Sequence, residues 1–145
     1  MVMIARSQNA TFSGSTPPGP RDIDVPGEPI AVKLRSGLKH RGWEPGEVDD
    51  WRDSGWSFTC RRRDCELEVV IAPVDPRWAL QIRPMHPPGL IGRLLGQRPS
   101  ATAADIYDLA LQVHQLLVSD GFRDFLWRWD GFPDDGSSGE PRPAS

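Results

Sequence analysis

Apolar and polar positions alternate with a period of two from Gly55 to Pro84, which predicts three antiparallel strands joined as a meander. One face collects Trp56, Phe58, Cys60, Cys65, Leu67, Val69, Ile71, Trp78, Leu80 and Ile82. Pairing Cys60 with Cys65 sets Arg61 opposite Asp64, Phe58 opposite Leu67 and Trp56 opposite Val69, and leaves Arg62 and Arg63 at the hairpin tip. Ile71 then pairs with Trp78 across the turn-forming segment Ala72 to Pro76. Each large side chain taken from water contributes roughly 1.5 to 3 kcal/mol, so this face needs a cover. Helices packed on one side of an antiparallel sheet supply it.

Two stretches carry the helical period. After Pro29, which suits a first helical position, Ile30, Leu34 and Leu38 recur every four residues, and Lys39, His40 and Arg41 sit where the helix dipole favours cations. Gly42 ends this helix and puts Trp43 where it can pack back on Leu38. Gly37 inside it costs about 1 kcal/mol relative to Ala. The second helix opens with Thr102 and Asp105 as a capping pair and carries Ile106, Leu109, Ala110, Val113, Leu116 and Leu117 as one stripe. Gly121 stops it, with Phe122 folding back on Leu117. Tyr107, Leu111 and Val118 widen the apolar arc toward a second neighbour, either the first helix or another subunit.

The connection from Glu44 to Ser54 is polar, with room for one helical turn, and Val48 and Trp51 reach from it toward the core. Phe122 to Asp130 fits a helical face through Phe122, Phe125, Leu126 and Trp129, and fits a strand through Phe125, Trp127 and Trp129. Its aromatic content and flanking glycines favour a fourth strand. The fold class is therefore α+β, an antiparallel meander of three strands and a fourth, covered on one face by helices. Residues 29–133 form the single domain. Residues 1–28, rich in Pro, Gly and Ser, read as a disordered arm, and residues 134–145 as a disordered tail.

A chain of 145 residues suits one domain. Its net charge of −3 gives no bulk attraction to nucleic acid or anionic lipid. No apolar run approaches the ~20 residues of a membrane span, and the opening residues lack the apolar core of a secretory signal, so a cytoplasmic location is expected. In a reducing compartment Cys60 and Cys65 are two small buried apolar side chains, although directly opposed strand positions would permit a disulfide. The C-x4-C spacing lacks two further ligands, so neither metal nor cofactor is expected. Asn9-Ala10-Thr11 matches the N-glycosylation pattern without an export signal to bring it into use.

No phosphate-binding loop or dinucleotide fingerprint occurs, the three histidines are dispersed in sequence, and no catalytic residues are assigned. His114 lies on the flank of a helical stripe as a solvent-facing or satisfied side chain. Arg61, Arg62 and Arg63 read as a solvated turn, with a phosphate or acidic contact as the other reading. The stretch 84–99 is too rich in Pro and Gly for a regular element, yet it carries Leu90, Ile91, Leu94 and Leu95, with Arg93 and Arg98 on the rim. These six residues are the candidate partner-binding surface; the plainer reading is a turn that plugs the end of the core.

Surplus apolar surface without a catalytic grouping points to a non-enzymatic protein-binding molecule, an adaptor, dedicated chaperone or immunity-type protein. The alternative is a small enzyme in which 84–99 closes over an anionic substrate held by His86 and Arg93 or Arg98. The order of elements is similar to that of the small acidic chaperones that escort secreted effector proteins in bacteria. That resemblance, in element order alone, implies a homodimer without enzymatic activity whose partner is another protein.

Overall fold

Seven strands and two helices make up the fold in a computed structural model that describes residues 6–21, 25–85, 101–133 and 139–145. In chain order they are β1 (Gln8–Ser13), α1 (Glu28–Lys39), β2 (Glu44–Pro45), β3 (Asp49–Trp51), β4 (Gly55–Arg62), β5 (Cys65–Val74), β6 (Arg77–Pro84), α2 (Ala103–Ser119) and β7 (Arg123–Trp129). The strands lie in the order β2-β4-β5-β6-β1-β7, and β3 pairs with β4 beside β2. Every pair is antiparallel, so the α+β reading holds. The sheet is wider than three strands and a fourth.

The β4–β6 meander forms where the alternation places it, with a different register. Arg62 pairs with Cys65, Cys60 with Leu67, Phe58 with Val69 and Trp56 with Ile71. At the next turn Ile71 pairs with Leu80 and Val74 with Arg77. The first hairpin keeps a two-residue turn but moves it by one position, from Arg62-Arg63 to Arg63-Asp64, and the second replaces the longer turn assigned to Ala72–Pro76 with the two-residue turn Asp75-Pro76, the commonest hairpin length. Arg63 takes a positive φ of 56° to close the first, and the Asp75–Pro76 peptide is cis. A slip of two residues leaves every side chain on its original face, which is why the predicted apolar face survives. It changes the neighbours: Arg61 now lies opposite Glu66 at 3.5 Å rather than opposite Asp64.

β1 corrects the expected arm over residues 1–28. It is an interior strand, paired with β6 from Gln8↔Ile82 to Phe12↔Trp78 and with β7 from Gln8↔Trp129 to Ser13↔Arg123. Its sequence, QNATFS, has no strong alternation. With neighbours on both sides its main chain is satisfied by partners, and Gln8, Ala10 and Phe12 face the core, of which two are apolar. The tail also departs from expectation: Glu140 makes a two-way main-chain bridge to Trp127, and Ala144 bonds to Gln8.

Residues 44–54 hold two short strands in place of a helical turn. Val48 packs against the core as expected, whereas Trp51 pairs with Gly55 on the opposite face.

Both helices cover one face. Ile30, Ala31, Leu34 and Leu38 of α1 and Ile106, Leu109, Ala110, Val113 and Leu117 of α2 join Phe58, Ile71, Leu80, Ile82, Phe12 and Trp127 in one core. The helices end alike. Trp43 N donates to Leu38 O at 3.1 Å after Gly42 at φ +91°, and Phe122 N donates to Leu117 O at 3.0 Å after Gly121 at φ +94°. Only glycine adopts that conformation without cost, and in each case it turns an aromatic ring back into the core. Thr102 and Asp105 form the predicted capping box. Gly37 has a reason the sequence conceals: a Cβ there would approach Leu116 Cδ2 to 2.6 Å, so the bare Cα sets how closely α1 and α2 pack.

The arginine turn is only partly a solvated one. Arg62 ion-pairs with Asp108 of α2 at 2.6 Å and lies 4.1 Å over the Trp43 ring, which fastens the hairpin tip to both helix ends.

Candidate protein-binding surface

The face of the sheet turned away from the helices is set by the same register. One row across the strands contains Ser57, Val70, Gln81, Asn9 and Arg128; the next contains Trp51, Gly55, Ala72, Ala79, Thr11 and Leu126. Strands alternate their side chains between faces, so these residues share the open side. The first row is largely polar and the second largely small or apolar.

The polar groups on this face satisfy one another. Asn9 is fully buried; its amide nitrogen donates to Ser7 Oγ at 3.1 Å and to the Arg128 carbonyl at 3.4 Å, and its Oδ1 accepts from Gln81 Nε2 at 2.9 Å. The glycosylation match at this residue is therefore spent inside the sheet. Arg77 reaches across two strands, donating to Ser13 Oγ at 2.9 Å, Thr11 Oγ1 at 3.2 Å and the Asp124 carbonyl. Arg83 directs Nε and Nη2 at one Glu68 oxygen, 2.8 and 2.7 Å away.

Beside this network lies a shallow depression of about 220 Å³ lined by Trp51, Val70, Ala72, Val74, Ala79, Gln81 and Phe132. Ala72 and Ala79, which pair directly, are its small residues, and Trp51 and Phe132 its two large rings. Val74 is 55 % exposed and Phe132 42 %, two of the four large hydrophobic residues exposed among the described residues. Gln81 is its single hydrogen-bonding side chain outside the Trp51 indole, and Gln81 is already engaged by Asn9. Its lining is apolar apart from Gln81 and the Trp51 indole and holds no group suited to proton transfer or nucleophilic attack.

Cys60, Cys65 and His114 sit on the covered side. Cys60 and Cys65 are free and buried. They face Leu67 and Arg62 respectively rather than each other. Burial first, then the neighbouring Cys65, pushes the Cys60 thiol up to about 12 against an opposing effect of Arg35. Burial likewise pushes Cys65 up to about 11. Both are therefore protonated and weakly nucleophilic near neutral pH. His114 is satisfied, as the stripe position suggests: its Nδ1 accepts from Trp127 Nε1–H at 3.1 Å, with the Phe125 ring 4.6 Å away. Burial and then Arg142 hold its pKa below 6.5. Among the described residues no group of three or more His, Cys, Asp and Glu is placed to hold a metal ion, and no helix is long and apolar enough to cross a membrane.

Leu90, Ile91, Arg93, Leu94, Leu95 and Arg98, the partner-binding residues expected from sequence, lie outside the described residues, as does His86. The open-face depression was missed in the sequence, although β5 carries its signal. Val69 and Ile71 face the core while Val70, Ala72 and Val74 repeat the apolar pattern on the other side. A strand apolar on both faces is covered on both faces or exposes one of them.

Comparison of the chain with protein-family models, with curated proteins and with solved structures finds no match.

Proposed function

We propose that this protein is a non-enzymatic protein-binding module that receives an apolar side chain of a partner protein on the open face of its sheet. The observation that carries the reading is the depression between Trp51 and Phe132, small-floored at Ala72 and Ala79 and flanked by a polar network whose groups are already bonded to one another. A partner docking there removes apolar area from water without stripping hydration from an unpaired charge, and a large ring seated between two others is the kind of anchor that dominates protein interfaces.

The test compares the wild-type chain with Ala79→Arg as bait in affinity capture from native lysate, with circular dichroism confirming that the variant is folded. A stoichiometric protein retained by the wild type and reduced at least tenfold by Ala79→Arg supports the reading; a second copy of the chain recovered with the same dependence makes the module a self-associating one. Equal retention by both baits, or no partner on either, overturns it. Leu90→Asp with Leu94→Asp, run in parallel, asks whether the stretch expected from sequence contributes to the same contact.

A further inference from the structure

Residues 139–145 of the same chain meet the outer edge of β7 at Glu140 and the side chain of Gln8 in β1 at Ala144, and the manner of holding is that of a ligand. At one end Trp127 N donates to Glu140 O at 2.7 Å and Glu140 N donates to Trp127 O at 2.9 Å. At the other end the wholly buried Gln8 side chain acts as a piece of strand: Nε2 donates to the Ala144 carbonyl at 3.0 Å, and Oε1 accepts the Ala144 N–H at 2.8 Å. Between these clamps Pro143 is buried while Pro141 and Arg142 are exposed. Both clamps engage main chain, which any residue but proline offers complete, and one buried ring supplies the side-chain contact. Strand addition at a sheet edge gives affinity in the same way, with the backbone supplying the bonds and alternate side chains the selectivity.

Gln8 is the decisive residue. A buried primary amide left without partners is destabilising, and Gln8 spends both of its polar atoms on the Ala144 main chain. Its strand lies inside the sheet between β6 and β7, and its neighbours in register are Ile82 and Trp129. The amide is thus aimed at a main-chain segment from within the core.

We propose that the strip from the β7 edge to the Gln8 amide is a peptide-binding groove for extended segments with a proline one residue before the second clamp, and that residues 139–145 are its ligand in cis. A segment of this kind from another chain binds by displacing them. The tethered copy competes at an effective concentration of about the millimolar range, so the groove accepts a ligand in trans weakly until the tethered segment is disabled.

The experiment uses the full chain carrying Pro143→Asp, which removes the buried ring from the tethered segment, and titrates it with the synthetic heptapeptide GEPRPAS while following the Trp127 indole and Gln8 side-chain amide resonances. Saturable binding is expected, at least tenfold tighter than to the wild-type chain, and at least tenfold weaker for the heptapeptide bearing the same Pro143→Asp change. Ala144→Pro, which deletes the N–H accepted by Gln8, is the second disabled chain and should behave alike. Absence of saturation, equal binding to wild-type and disabled chains, or equal binding of the two peptides overturns the proposal. Loss of the folded state in both disabled chains also overturns it, since the segment is then an integral part of the fold and not an exchangeable ligand.

Discussion

The helix-covered face and the open face of the sheet are built on the same strands, residue by alternate residue, yet they use different chemistry. Under the helices stand Phe12, Phe58, Leu67, Ile71, Leu80, Ile82 and Trp127, buried by Ile30, Leu34, Ile106, Leu109 and Val113. On the other side, one register step along, stand Asn9, Thr11, Gln81, Ala72 and Ala79. The first face obtains stability from apolar volume, and its polar atoms are few. The second forms an ordered hydrogen-bond network beside a shallow apolar floor, so a change at the floor should leave the fold largely intact while altering the proposed binding, and a change in the network should cost stability.

The sharpest way to break that contrast is to remove volume from the covered side. Leu80→Ala should cost about 2 to 5 kcal/mol in urea denaturation, the range for a buried leucine whose surroundings relax incompletely; a cost below 1 kcal/mol would mean that the two faces do not differ as described. On the open side the largest effect belongs to the network. Asn9→Ala removes the acceptor of the Gln81 amide and a side-chain donor to the Arg128 carbonyl and should cost about 1 to 3 kcal/mol, with Val70 and Ala72 amides exchanging no faster than the global rate.

The two helix stops test the cover itself. Gly42→Ala and Gly121→Ala meet no atom within 4 Å of the new Cβ, so their cost is conformational alone, roughly 1 to 2 kcal/mol each. Matched midpoints in the same denaturant series are expected for the pair. Acid should act on the covered side only slightly. Because the folded pKa of His114 lies below 6.5, the unfolded chain takes up the proton first as pH falls. Stability therefore declines as pH drops from about 6.5 toward the folded pKa and is untouched above that window. His114→Asn, which can keep an acceptor for the Trp127 indole, should flatten this part of a stability–pH curve. Smallest of all is Ala79→Arg, expected to lie within about 0.5 kcal/mol of wild type even as it removes binding at the open face.

Much of the covered side was legible because two periodicities, of two and of 3.6, each assign a residue to a face independently of its partner. Thr102 with Asp105, Gly42 with Trp43 and Gly121 with Phe122 were readable for the same reason: capping is local. Register was not, since two-residue turns at Arg62-Arg63 and at Arg63-Asp64 leave Phe58 equally buried, and spacing alone does not choose between them; in the structure Arg63 takes the positive φ that closes the second. β1 was invisible because an interior strand that buries little apolar surface of its own is specified by its neighbours, β6 and β7. The open-face depression was half visible in the doubly apolar β5. The contribution of Trp51 and Phe132 depends on how β3 and the residues after β7 approach it, which no spacing records.

The position of β1 has a consequence for the chain as it is made. Arg6 and Asp130, 124 residues apart, close one end of the β1–β7 ladder, and β1 must sit between two strands that follow it. Contacts of that span slow folding, because the chain between them has to be ordered before they form. While a ribosome is still short of β7, β1 has at most one edge to pair with, and its other edge remains an unpaired row of amides and carbonyls. The molecule is in this sense locked by its last strand, and synthesis that halts before Arg123 should yield an aggregation-prone fragment instead of a smaller stable sheet.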